Sequence, residues 1–167
     1  MSPTIRAVIA CVFFAAVGMW ALHINQPSDI ELLLAGYYAV LILNTFFSIR
    51  TISAFTPNNA IQMLFDTVLV LTYCALAFSL GSVAQFSAVS LFLFIFADGK
   101  YAHLRRLVAH KQFLWHKMQM NALGAALSLG ALITAALGYP LSAAWFLFVA
   151  YALANVYLLG INPMYRL

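Results

Sequence analysis

Apolar runs of membrane-spanning or near-spanning length recur six times along this chain, at about residues 7–24, 30–48, 61–80, 83–97, 119–137 and 141–160. A bilayer core about 30 Å thick takes roughly 20 residues of helix. In lipid, backbone amides must also find partners within their own segment or in a closed barrel. The runs therefore predict an all-α, polytopic membrane protein of six transmembrane helices, forming a single domain over residues 1–167. Turn chemistry separates them: Asn25-Gln26-Pro27-Ser28-Asp29, Thr56-Pro57-Asn58-Asn59, Gly81-Ser82 and Gly138-Tyr139-Pro140. Ser28 or Asp29 is placed to cap the second helix. The fourth run is short and contains Gln85, so it spans upright or through thinned lipid.

Composition rules out water as the main solvent. The chain is 65% hydrophobic and 7% charged, whereas a soluble domain carries about 25% charged residues. Its net charge of +4 would raise nucleic acid as a partner for a soluble protein. Eight basic residues scattered among apolar runs build no phosphate-tracking face, however, and no nucleic acid is expected. Cys11 and Cys74 lie inside apolar runs without metal or redox spacing, and are read as small buried hydrophobes. Arg6 followed by an apolar run resembles the start of a signal peptide. The run ahead of Cys11 falls short of the roughly 7–15 apolar residues a signal needs, so this segment is predicted to stay as a helix.

With six spans, alternate loops face opposite sides and the charges sort themselves. Arg6, Arg50, Lys100, Arg105, Arg106, Lys111, Lys117 and Arg166 fall on one side, while the loops near 25–29, 81–83 and 138–140 contain no Lys or Arg. The positive-inside rule makes the basic side, with both termini, cytoplasmic. The expected location is a bacterial inner membrane.

Much of that charge lies in residues 98–118, DGKYAHLRRLVAHKQFLWHKM. Aliphatic and basic positions alternate there at spacings near three and four, which predicts a basic amphipathic cytoplasmic loop lying in the interface. Two roles are open to it. It fixes orientation as a connector, or it holds an anion or lipid headgroup through Arg105 and Arg106, with His103 and Lys111 beside them. His103 and His110 stand two turns apart on such a helix, about 10 Å, too far to share a metal. No metal or other cofactor is expected. Asp98-Gly99-Lys100-Tyr101-Ala102-His103 begins like the D-G-x-x-A-R signature of CDP-alcohol phosphotransferases, but the Arg is missing and no Asp follows Asp98. That family is excluded.

Polar residues inside spans are costly, which makes their positions informative. Asn44, Asp66, Asp98, Asn121 and Asn155 all fall in the half of the bundle nearer the basic side. They are either interhelical hydrogen-bonding glue or the lining of a cavity open to the cytoplasm. Asp66 is the acidic residue deepest in a span, and so the candidate proton or cation site, with Asn44, Asn121 and Asn155 as donors at matching depth. On the fifth helix Ala126, Gly130, Thr134 and Gly138 recur every four residues, a small-residue stripe suited to close packing against another helix or a partner. Three functional readings follow. The first is a small channel or secondary carrier with a cytoplasm-facing polar vestibule; the second, a non-transporting structural or assembly subunit of a larger membrane complex; the third, a membrane enzyme acting on a lipid. Expected partners are the bilayer, anionic headgroups, and a second copy or another membrane protein. No nucleophile–base pair or acid cluster recommends the enzyme.

Overall fold

The structure, a computed structural model describing residues 2–25, 27–161 and 164–165, is all-helical. Its helices are α1 (Pro3–Asn25), α2 (Asp29–Ile52), α3 (Ala60–Phe78), α4 (Val83–Leu104), α5 (Lys111–Ala136) and α6 (Pro140–Val156), the last continued by a wider π-helical turn over Tyr157–Ile161. All six, the last together with its continuation to Ile161, are long and apolar enough to cross a membrane. Gln26 of the first turn and Arg166 of the basic set lie outside the described residues.

Helix ends follow the local chemistry. Ser28 is the N-cap of α2, and its backbone N–H donates to the carboxylate of Glu31, half of a capping box. Asn59 caps α3 by accepting from Gln62 N at 2.9 Å, and Ser82 does the same for Gln85 at the start of α4. α5 stops in a Schellman arrangement, with Tyr139 N donating to Thr134 O and Gly138 N to Ala135 O. That closure needs a left-handed residue, which Gly138 supplies at φ 91°.

Neighbouring helices close a ring in the order α1, α2, α6, α5, α4, α3 and back to α1. Short connectors make successive helices antiparallel, so Arg6, Arg50, Lys100, Arg105, Arg106, Lys111 and Lys117 gather toward one end. The opposite end is packed solid: Leu34, Leu76, Leu80, Phe86, Ala143, Ala144 and Leu147 are completely buried there. Large apolar side chains cover the outside on every helix, among them Ile9, Leu43, Leu71, Ile95, Ile133 and Leu153, each half-exposed or more. Such a surface is suited to lipid.

Residues 98–118 depart from the expected single amphipathic helix. Residues 98–104 are the last turns of α4, residues 111–118 are the first turns of α5, and only 105–110 connect them. The cause is burial on both sides of the connector. Ala97, Tyr101 and Leu104 of α4 pack with Phe113 and Leu114 of α5 and Ile52 of α2 in a second apolar cluster at the basic end. The fourth helix therefore reaches 22 residues, because polar side chains after Ala97 meet other helices rather than lipid.

The small-residue stripe is also placed differently. Ala126 faces outward, Thr134 bonds its hydroxyl to Gly130 O at 2.9 Å, and Gly138 belongs to the turn. The close approach on α5 occurs at Gly124, where an added Cβ would stand 2.7 Å from the Phe94 ring. The buried face of α5 runs through Leu114, Lys117, Asn121, Gly124, Ser128 and Ala131, turned well away from Ala126 and Gly130.

Candidate functional site

Inside the ring, at the basic end, lies a cavity of about 350 Å³. All six helices contribute to its wall: α1 through Ala10 and Phe14, α2 and its C-cap from Leu41 to Ser53, α3 from Gln62 to Tyr73, α4 from Leu93 to Tyr101, α5 from Lys117 to Leu127, and α6 with its π-helical continuation from Tyr151 to Leu158. Exposed Arg6 and Asn58 lie at its rim.

The polar wall is organised around Asn44, which is buried. Its Nδ2 donates to Asn155 Oδ1 at 2.7 Å, and its Oδ1 accepts from Lys117 Nζ at 3.2 Å and from the Tyr165 hydroxyl. Asn155 in turn donates to Tyr151 O at 2.9 Å. Lys117 also donates to Tyr165 at 2.6 Å. Tyr165 is fixed by stacking on Phe47 and by an edge contact with Phe113. An ammonium on a helix of membrane length is only 6% exposed here, and burial of a charge is unfavourable without such partners. Lys117 makes no ion pair among the described residues. Asp98 stands near it and near Asn121, outside ion-pair distance and outside the cavity wall.

Asp66 lines the same cavity but pairs with Lys100 rather than with an asparagine. An ammonium within reach satisfies a carboxylate better than neutral amides do, and the continuation of α4 past Asp98 brings Lys100 there. Asp66 is itself 58% exposed and Lys100 12%. The structure thus brings Asn44, Asp66, Asn121 and Asn155 to one cavity while separating the carboxylate from the asparagine cluster.

Away from the rim, aromatic side chains narrow the cavity. Tyr73 shares a hydrogen bond with Thr45, and Phe14 stacks on Tyr73 with ring centroids 4.4 Å apart. Behind them Tyr37, Ser90 and Ser128 form a buried hydroxyl chain at 2.8 and 2.9 Å. Beyond that the buried side chains are mainly apolar, with Ser87 buried among them. Several buried polar atoms of cavity-lining residues have no partner among the described residues: both amide atoms of Gln62, Nδ2 of Asn121 and Oγ of Ser53; Oδ1 of Asp98, near Asn121 but off the wall, is likewise unpartnered. Orphans of this kind are rare in folded proteins and call for a ligand or water.

The basic residues expected to hold a headgroup sit elsewhere. The Arg105 guanidinium lies 5.1 Å above the Trp115 ring, Arg106 and Lys111 are exposed, and His103 neighbours Phe65 with centroids 6.0 Å apart. None of the four lines the cavity. Sequence reasoning missed Lys117 and Gln62. The signal for Lys117 was present, since Leu114, Lys117, Asn121, Gly124 and Ser128 recur at three- and four-residue spacing. Gln62 and Asp66 likewise share a face of α3 with Leu69, Tyr73 and Leu76. Among the described residues no three His, Cys, Asp or Glu side chains are grouped to hold a metal.

Fold and site together define a multi-pass helical bundle with an internal polar vestibule at one end. Comparison with protein-family models, with curated proteins and with solved structures found no match.

Proposed function

We propose that this protein is a small carrier of the bacterial inner membrane, with the basic end and both termini in the cytoplasm and the vestibule receiving a solute from that side. The observation that carries the reading is asymmetry along the bundle axis. One half encloses a cavity walled by six helices and edged with unpartnered amides, while the other is sealed by apolar packing. A site open to one side and closed to the other is the arrangement that alternating access requires of a carrier in one of its end states. A permanently open channel would need a continuous polar path, whereas the interior of the other half is filled mainly by Leu34, Leu76, Leu80, Phe86 and Leu147. The lipid-facing belt and the stripe residues Ala126 and Gly130 are available to a second copy or another membrane protein.

Purified protein reconstituted into proteoliposomes provides the test. Solute-dependent, saturable flux supports the carrier. No flux for any solute that binds, together with stable co-purification of a second membrane protein, favours the structural or assembly subunit.

A further inference from the structure

The proposed carrier reading leaves the solute unnamed, and the wall of the vestibule bears on its chemistry. Lys117 is a buried ammonium whose acceptors, Asn44 and Tyr165, are neutral. They use two of its three N–H groups. Asp66 could have made this a cation site, but Lys100 already neutralises it. Of the charged groups on the wall and rim, Arg6, Lys100 and Lys117 outnumber the single carboxylate of Asp66. Gln62, 2% exposed, has an amide with no partner on either atom among the described residues. Leu41, Leu93, Phe94 and Leu127 give the wall apolar stretches beside these polar groups.

We infer that the vestibule binds a small organic monocarboxylate, its carboxylate held by Lys117 with the amides of Gln62 and Asn121, and its apolar body against the Leu41–Phe94 side. The inference rests on the reading of the vestibule as a solute site. Carboxylate oxygens offer about four acceptor positions and suit an ammonium flanked by amide N–H groups. Lys117 makes no ion pair among the described residues, the Asp98 carboxylate standing near it but outside ion-pair distance and off the wall, so the site can take one further negative charge; a phosphate dianion calls for a second cation within reach, and Lys100 is already held by Asp66. The volume of about 350 Å³ is roughly twice the ~150 Å³ cavity that takes benzene in another protein. An aryl ring with a short acid chain fits that space.

The experiment measures binding to the full-length protein in neutral detergent by calorimetry, with 3-phenylpropionate, 3-phenylpropanol, 3-phenylpropylamine and inorganic phosphate as probes. The acid should bind at least tenfold more tightly than the alcohol, and the amine and phosphate should bind more weakly than the alcohol. Lys117→Gln should remove the preference of acid over alcohol. Because that variant breaks a hydrogen-bonded cluster, Gln62→Leu provides the second test. Its amide has no partner among the described residues, so thermal stability should hold while affinity for the acid falls three- to tenfold and affinity for the alcohol does not. Equal binding of acid and alcohol, tighter binding of the amine or of phosphate, or unchanged acid binding in both variants overturns the inference. In the first three cases the vestibule remains a ligand site for another chemistry. Absence of binding by all four probes overturns the carboxylate assignment, and flux measurements decide separately on the carrier.

Discussion

Replacing Gly18 by Ala isolates the packing of α1 on α2. Gly18 lies on α1 against Tyr38 of α2, and a Cβ built there would stand 2.8 Å from Cε1 and 3.1 Å from Cδ1 of the ring. Ordinary carbon contacts lie at about 3.5–4.0 Å, so the ring must retreat by close to 1 Å. It has little freedom to do so. Tyr38 is 3% exposed, and its hydroxyl is within hydrogen-bonding distance of Phe14 O and Tyr73 O, both at 3.3 Å. Overpacking a filled site costs about 1–3 kcal/mol. The opposing gain, Ala over Gly in a helix, is at most about 1 kcal/mol, and less where the unfolded chain stays helical in detergent or lipid. The net expectation is a loss of about 1–2 kcal/mol, read as a drop of a few degrees in the thermal unfolding midpoint of purified protein. Gly130→Ala is the internal control, since its Cβ would meet Phe146 at an ordinary 3.7 Å and should be neutral or mildly stabilising. In a Tyr38→Ala background the Gly18→Ala penalty should vanish, as a coupling energy between touching residues requires. A Gly18→Ala protein as stable as Gly130→Ala would refute the packing of α1 described here.

Two further outcomes are expected. Asn155→Leu removes one hydrogen bond from Asn44 and should cost about 0.6–1.7 kcal/mol; Asn44→Leu should cost more in the same unfolding assay, because Asn155, Lys117 and Tyr165 all lose a partner, and equal losses would show that Asn44 is no hub. Topology reporters fused after Arg50 and after Lys111 should read cytoplasmic, whereas fusions near Pro27 and Pro140 should read external, and a cytoplasmic signal at Pro140 would remove the proposed orientation.

Helix number and the grouping of polar residues at one end were legible because lipid imposes a blunt rule: a charged or amide side chain in a span has to find shelter, and shelter lies inside the bundle. Helix ends at the basic side were less legible. Hydropathy read Asp98, Lys100 and Lys117 as the border of lipid, but these side chains are sheltered among the helices, where hydropathy gives no guidance. The same blindness paired Asp66 with asparagines at equal depth. Depth alone does not say which helices are neighbours, and the ring places Lys100 of α4 beside α3 while α2 and α6 share Asn44 and Asn155. The stripe at Ala126 and Gly130 shows the converse limit, since small residues permit close approach without requiring it.

The bond between Asn44 and Asn155 joins positions 111 residues apart. At synthesis rates of about 5–20 residues per second, α2 enters the bilayer roughly 6–20 s before the partner of its buried amide has been made. Lys117, the second group on Asn44, is also still absent when α2 inserts. Through that interval the amide is exposed to lipid, to water held at the insertion site or to another protein, and the vestibule has no sixth wall. Assembly of the site is therefore a late event in the biogenesis of this chain. Variants of α6 that insert slowly should lengthen the life of a five-helix species with its polar interior uncovered.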